Sequence, residues 1–248
     1  MGQQPRRSVG SVSTARLVLV HGTRLSHTQW APYDGLFPGL EVVTPDLPGH
    51  GAHTGERFTT EAAVEAIADA VDGGDEALPT VVAGHSLGGY MAMAYAAQHP
   101  ERLAGLVTIG AAAVPAGPGA AAYRLLGRAL ERSGDERAGA LANRVIARLT
   151  SEQTLALVTA GGTTYAATRD AWAAVMAGGR PELLARVRCP VLVVGGQLDQ
   201  LAIQSRRYAA AAPRGRRLTV PRATHFLPLT HVDVVARILR DFVDEVVP

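Results

Sequence analysis

Gly84-His85-Ser86-Leu87-Gly88-Gly89 lies between an apolar run, Thr80-Val81-Val82-Ala83, and a segment of small and apolar residues, Tyr90 to Ala97. The first run reads as a buried strand. The second reads as a helix packed closely on a sheet. Ser86 has a glycine two residues away on each side. A turn sharp enough to join this strand to this helix leaves no room for side chains at those flanks. The serine is held at the tip of an elbow with its hydroxyl exposed. Leu87 comes next, at the helix start, where backbone N–H groups lack partners and partial positive charge gathers. Such an elbow can present a nucleophile and stabilise an oxyanion.

Upstream, Leu17-Val18-Leu19-Val20 is a second continuous apolar run, predicted as a central parallel strand ending at His21-Gly22. A short helix containing Trp30 follows the loop from Thr23 to Thr28. Val42-Val43-Thr44 reads as a strand closed by the loop Pro45 to Gly51. After Thr60, a candidate helix cap, Val64, Ile67, Ala68 and Val71 recur at helical spacing until Gly73-Gly74. Leu103 to Ile109 reads as the strand after the elbow helix. This alternation predicts an α/β protein with a mostly parallel sheet and helices on both faces. No strong strand appears between Ala120 and about Ala177, so residues 111–185 are predicted as a helical cap insertion over the carboxyl ends of the strands. The sheet resumes at Val191 to Val194. A helix from about Ile203 to Ala212, a strand from Arg217 to Val220 and a final amphipathic helix from Val232 to Val246 complete it. Residues 1–14 read as a tail and 15–248 as a single domain.

The 248 residues carry a formal net charge of only +2, which compels no nucleic-acid partner. The basic clusters Arg206-Arg207 and Arg214 to Arg217 lack interleaved aromatics and read as solvated surface. All basic side chains other than histidine are arginine. The absence of lysine excludes a Schiff-base mechanism and a phosphate-loop lysine. A single cysteine, Cys189, rules out an intramolecular disulfide and reads as a buried thiol. No signal-peptide core or membrane-length apolar stretch is visible, so the expected location is the cytoplasm. His50 and His53 have a His-x-x-His spacing without a third ligand nearby, so neither a metal nor a cofactor is expected.

A serine hydroxyl needs an adjacent base, and the base needs an orienting acid. His225 lies directly between the last strand and the last helix, the position a base requires. His231, near the start of that helix, does not. Asp199 ends the strand at Val191 to Val194. Asp46 also ends a strand, but it precedes the serine in a Pro- and Gly-rich loop and reads as a binder of loop amides. His85 alternates onto the face opposite the nucleophile and reads as a packing residue that takes no part.

The order Ser86, Asp199, His225 is that of the α/β-hydrolases. From about Leu17 to Val246 the chain resembles that family. The likeness rests on His21-Gly22 with Trp30, on Asp46-Leu47-Pro48-Gly49-His50-Gly51, on Gly84 to Gly88, on Gly196 to Asp199, and on His225. The resemblance implies a second oxyanion donor, the N–H of Thr23, beside that of Leu87, and a structural role for His21. It also implies hydrolysis of a carboxylic ester, thioester or lactone of a small molecule. A thioesterase or cyclase in a biosynthetic pathway, a cofactor-free lyase or oxygenase, and a slow-turnover ligand receptor are the alternatives on the same fold. Arg24, next to Thr23, could meet an anionic substrate group, although pairing with a carboxylate that fixes the loop is the favoured expectation. Tyr123, Tyr165 and Trp172 in the insertion are candidate pocket walls, and Trp30 is a core residue that could floor the pocket. Oligomeric state is not legible.

Overall fold

The computed structural model describes residues 13–74, 77–114, 140, 143–144 and 146–247. Among them are six strands: β1 (Ala15–Val20), β2 (Leu40–Val43), β3 (Thr80–His85), β4 (Gly105–Ile109), β5 (Val191–Gly196) and β6 (Gly215–Val220). They form one sheet in the order β2-β1-β3-β4-β5-β6, and every pairing is parallel. The central strands are buried along their whole length, as parallel strands covered on both faces must be.

The helices are α1 (Thr60–Asp72), α2 (Leu87–Gln98), α3 (Glu152–Thr159), α4 (Thr168–Gly178), α5 (Ser205–Ala211), the short α6 (Leu227–Thr230) and α7 (Val232–Val246). Side chains alternate across the sheet and so build two cores. Val18, Val20, Val82, Val191 and Val193 meet α1, α2 and α5 on one face. Leu17, Leu19, Val81, Ala83 and Val107 meet α7 and the 3-10 segment His27–Tyr33 on the other. Thr59 is the N-cap of α1, one residue before the predicted position, and its hydroxyl accepts from the Ala62 N–H at 3.1 Å. The strand expected from Leu103 begins at Gly105. Arg16, on β1, is 1% exposed, and it is the register partner of Glu41 on β2. The two form an ion pair at 3.0 Å that closes this end of the sheet.

Strand order reverses between β1 and β3, because the chain runs outward to β2 and then crosses back. The connections leaving β1 and β3 therefore diverge and open a crevice at their carboxyl ends, the usual ligand position in such sheets. Two apolar contacts are among those that attach the described part of the insertion. Ala167 and Ala171, at the start of α4 and within it, join the core around α2. Val158 of α3 joins Leu25, Ile146 and Leu229 in a separate apolar cluster, which ties the loop after β1 to the loop after β6. No helix among the described residues is long and apolar enough to cross a membrane.

Candidate active site

Ser86 occupies the turn between β3 and α2 with φ 52° and ψ −117°, a conformation L-residues rarely adopt. Its N–H donates to the Ile109 carbonyl at 2.8 Å, and its own carbonyl accepts from the N–H groups of Gly89 and Tyr90. The flanking glycines are sterically required. A Cβ on Gly84 would lie 2.3 Å from the Gly88 carbonyl oxygen, and one on Gly88 would lie 2.5 Å from the carbonyl oxygens of Val20 and His21. The elbow is thus pressed against the end of β1.

His225 Nε2 lies 3.1 Å from Ser86 Oγ. Its Nδ1 lies 3.1 Å and 3.2 Å from the two carboxylate oxygens of Asp199. Asp199 is held in turn by the Leu201 N–H at 2.8 Å. Burial pushes the Asp199 carboxyl up, but the His225 ring and the Leu201 amide outweigh it and hold the pKa below its usual value. The three side chains come from the ends of β3, β5 and β6, so the chain of hydrogen bonds crosses the tops of four adjacent strands. Gly110, at the end of β4 with φ 61°, makes room for it, since a Cβ there would lie 2.9 Å from Asp199 Oδ2 and 3.0 Å from His225 Nδ1.

The loop after β1 carries the Thr23 amide. No described residue accepts from that N–H. Leu87 is the first residue of α2, and the first amides of a helix have no intrahelical acceptor. The Leu87 N–H thus lies at a helix N-terminus, where an anion is favoured. Gln29, buried, fixes the loop by accepting from the Gly22 N–H at 2.8 Å.

A family model described as the alpha/beta hydrolase family matches residues 17–238. The chain belongs to the alpha/beta hydrolase family. It is similar to a pimeloyl-[acyl-carrier protein] methyl ester esterase of Neisseria meningitidis serogroup A, 29% identical over 98% of this chain and 81% of the relative. A protein of the same description from Aromatoleum aromaticum is 42% identical over 95 residues, 38% of this chain and 36% of the relative. Among solved structures, a thermophilic esterase from Thermogutta terrifontis aligns with a TM-score of 0.74 and 26% identity over 96% of this chain and 92% of that one. This chain is accordingly an α/β-fold hydrolase of the esterase kind.

In this hydrolase His85 makes a contact that its reading from the sequence did not include. It is 4% exposed, and its Nε2 donates to the His225 carbonyl at 3.0 Å. The two rings lie 4.9 Å apart. Alternation does carry His85 to the face opposite the serine. That face is where Ala223 and Leu227 bring the loop bearing His225 back to the sheet. Burial pushes the His85 pKa down to about 3, so the ring is neutral. Sequence spacing held no signal of this contact, nor of Gln29 or Gly110. His21 is buried, with Nδ1 facing the Gly22 carbonyl at 2.9 Å and Nε2 accepting from the Leu47 N–H at 3.0 Å. Asp46 accepts from the N–H groups of His27 and Ala52 and from the His27 ring.

Trp30 is 2% exposed and packs with Tyr33 and Phe37 in the core beneath β1. Tyr165 and Trp172 are half-buried in the insertion, Trp172 within α4. Tyr123 lies outside the described residues. Arg24 has no carboxylate partner among the described residues, contrary to the favoured expectation. Its guanidinium donates instead to Asn143 Oδ1 and lies 5.9 Å from the centroid of the Tyr165 ring.

Proposed function

We propose that this hydrolase cleaves a carboxylic ester of a small molecule through an acyl-enzyme on Ser86. The observation that carries the reading is the hydrogen-bonded chain from Ser86 Oγ through His225 to the buried Asp199. Ser86 attacks the ester carbonyl while His225 Nε2 takes the hydroxyl proton. Asp199 keeps the other ring nitrogen protonated and stabilises the imidazolium. The amides of Thr23 and Leu87 receive the oxyanion, and one such donor is typically worth about 3 kcal/mol of barrier. His225 returns the proton to the leaving alcohol, then activates water, which releases the acid and frees Ser86. No cofactor is needed for these steps. The relatives' description as methyl ester esterases favours an oxygen ester over the thioester and lactone that the same machinery could attack.

Ser86→Ala should abolish hydrolysis of a short aryl ester while far-UV circular dichroism stays unchanged. A fluorophosphonate should label the parent chain at Ser86. Undiminished turnover in the variant would overturn the assignment.

A further inference from the structure

Arg24 immediately follows Thr23, yet its backbone is left-handed, with φ 77°. For a bulky residue that conformation is strained. The side chain is 5% exposed, turned under the insertion. There, among the described residues, its guanidinium meets neutral groups only, the Asn143 amide oxygen and the Tyr165 ring. Its Nε has no hydrogen-bond partner among the described residues. The arginine ion pairs of this chain lie elsewhere among the described residues, at Arg16, Arg57, Arg102, Arg188, Arg207 and Arg216. Buried charges ordinarily find a countercharge, because desolvation otherwise goes uncompensated. Arginine keeps its proton even when burial opposes it. A strained backbone and an uncompensated cation therefore coincide one residue from the amide proposed to hold the oxyanion. The Thr164 N–H donates to the Arg24 carbonyl at 3.1 Å and pins the strained residue to the insertion.

We propose that Arg24 binds a carboxylate carried by the substrate, so that this hydrolase selects anionic esters over neutral ones. The inference rests on the ester-hydrolase reading above and names the substrate class of that site. A carboxylate supplies the missing countercharge and uses the unpaired Nε–H as one tine of the guanidinium fork.

Two pairs of substrates test it. Aryl half-esters of succinate, glutarate and adipate, each compared with its methyl-capped diester, place the carboxylate on the acyl side. The acetyl ester of 4-hydroxybenzoate, compared with that of methyl 4-hydroxybenzoate, places it on the alcohol side. In one arm kcat/KM should favour the carboxylate by about 10- to 100-fold, the range expected of a hydrogen-bonded charge. Arg24→Gln should erase that ratio, and Arg24→Lys should retain part of it. Preference for the neutral partner in both arms overturns the proposal, with no variant required. An unchanged ratio in a folded Arg24→Gln does the same. Calorimetric binding of glutarate and 4-hydroxybenzoate to Ser86→Ala, with and without Arg24→Gln, needs no turnover. At least tenfold weaker binding of one ligand in the double variant supports the proposal, and no difference for either refutes it. Carboxylate binding that depends on Arg24, without hydrolysis of any ester, would overturn the ester-hydrolase reading and leave only the carboxylate site at Arg24 standing.

Discussion

Lowering the pH from 7 to 5 should cost the fold about 4 kcal/mol through His21 and His85 alone. Burial pushes both from the usual 6.5 down to about 3, so both remain neutral in the native protein across that interval. Unfolding returns them to water, where each takes up a proton below about 6.5. The unfolded chain then binds more protons, and stability falls as the pH falls. Below about pH 5.5 each histidine contributes a slope near 1.4 kcal/mol per pH unit, or about 3 for the pair. Integrated from pH 7 to 5, each loses about 2 kcal/mol, and a domain of this kind holds only about 5–15 in total. The loss continues until the native histidines protonate near 3. His50 is lowered by burial as well and steepens the slope. Asp46 and Asp199 act at lower pH. Burial raises both, but hydrogen bonds hold them below 3.8, so the stability they confer is present above that value and is lost as the pH falls through their native values. Urea titrations at successive pH values, followed by the fluorescence of the buried Trp30, measure the effect. His85→Gln should reduce the slope by about 1.4 kcal/mol per pH unit, whatever it does to stability at pH 7. Stability that is flat between pH 7 and 5, or an unchanged slope in His85→Gln, would refute the reasoning.

Gly110→Ala should lower kcat by about 100-fold, the scale of an ångström-sized misplacement, because the new methyl meets both Asp199 and His225. Steady-state kinetics on an aryl ester check it, and kcat within twofold of the parent would mean that the site relaxes freely. Arg16→Ala should destabilise the fold by about 1–3 kcal/mol, read from urea titration, since it leaves the buried Val71 carbonyl without its arginine donor.

Much of this architecture is legible because parallel strands covered on both faces must be continuous apolar runs. Leu17 to Val20, Thr80 to Ala83 and Val191 to Val194 all announce themselves that way. Ser86, Asp199 and His225 are legible for a second reason: each follows such a run where the carboxyl ends of the strands converge, and the structure brings the three side chains into one hydrogen-bonded chain. What escapes is contact across long separations. Nothing near Arg24 in the sequence points to Asn143, 119 residues away. His85 shows how a correct local rule can mislead. The pleat does turn it from the serine, but the loop carrying His225 returns across that same face. The insertion is hard to read because its small side chains carry weak periodicity, and its attachments depend on loops elsewhere in the chain.

The apolar cluster of Leu25, Ile146, Val158 and Leu229 ties the insertion to both halves of the site at once. Leu25 lies two residues after Thr23, and Leu229 lies four after His225. An engineer who transplants a foreign cover onto this scaffold to change its substrate therefore also inherits the fit of these two leucines. A graft whose apolar residues miss them would loosen the loop bearing the Thr23 amide and the loop bearing His225 together. Libraries aimed at the insertion should therefore vary positions 25 and 229 alongside it.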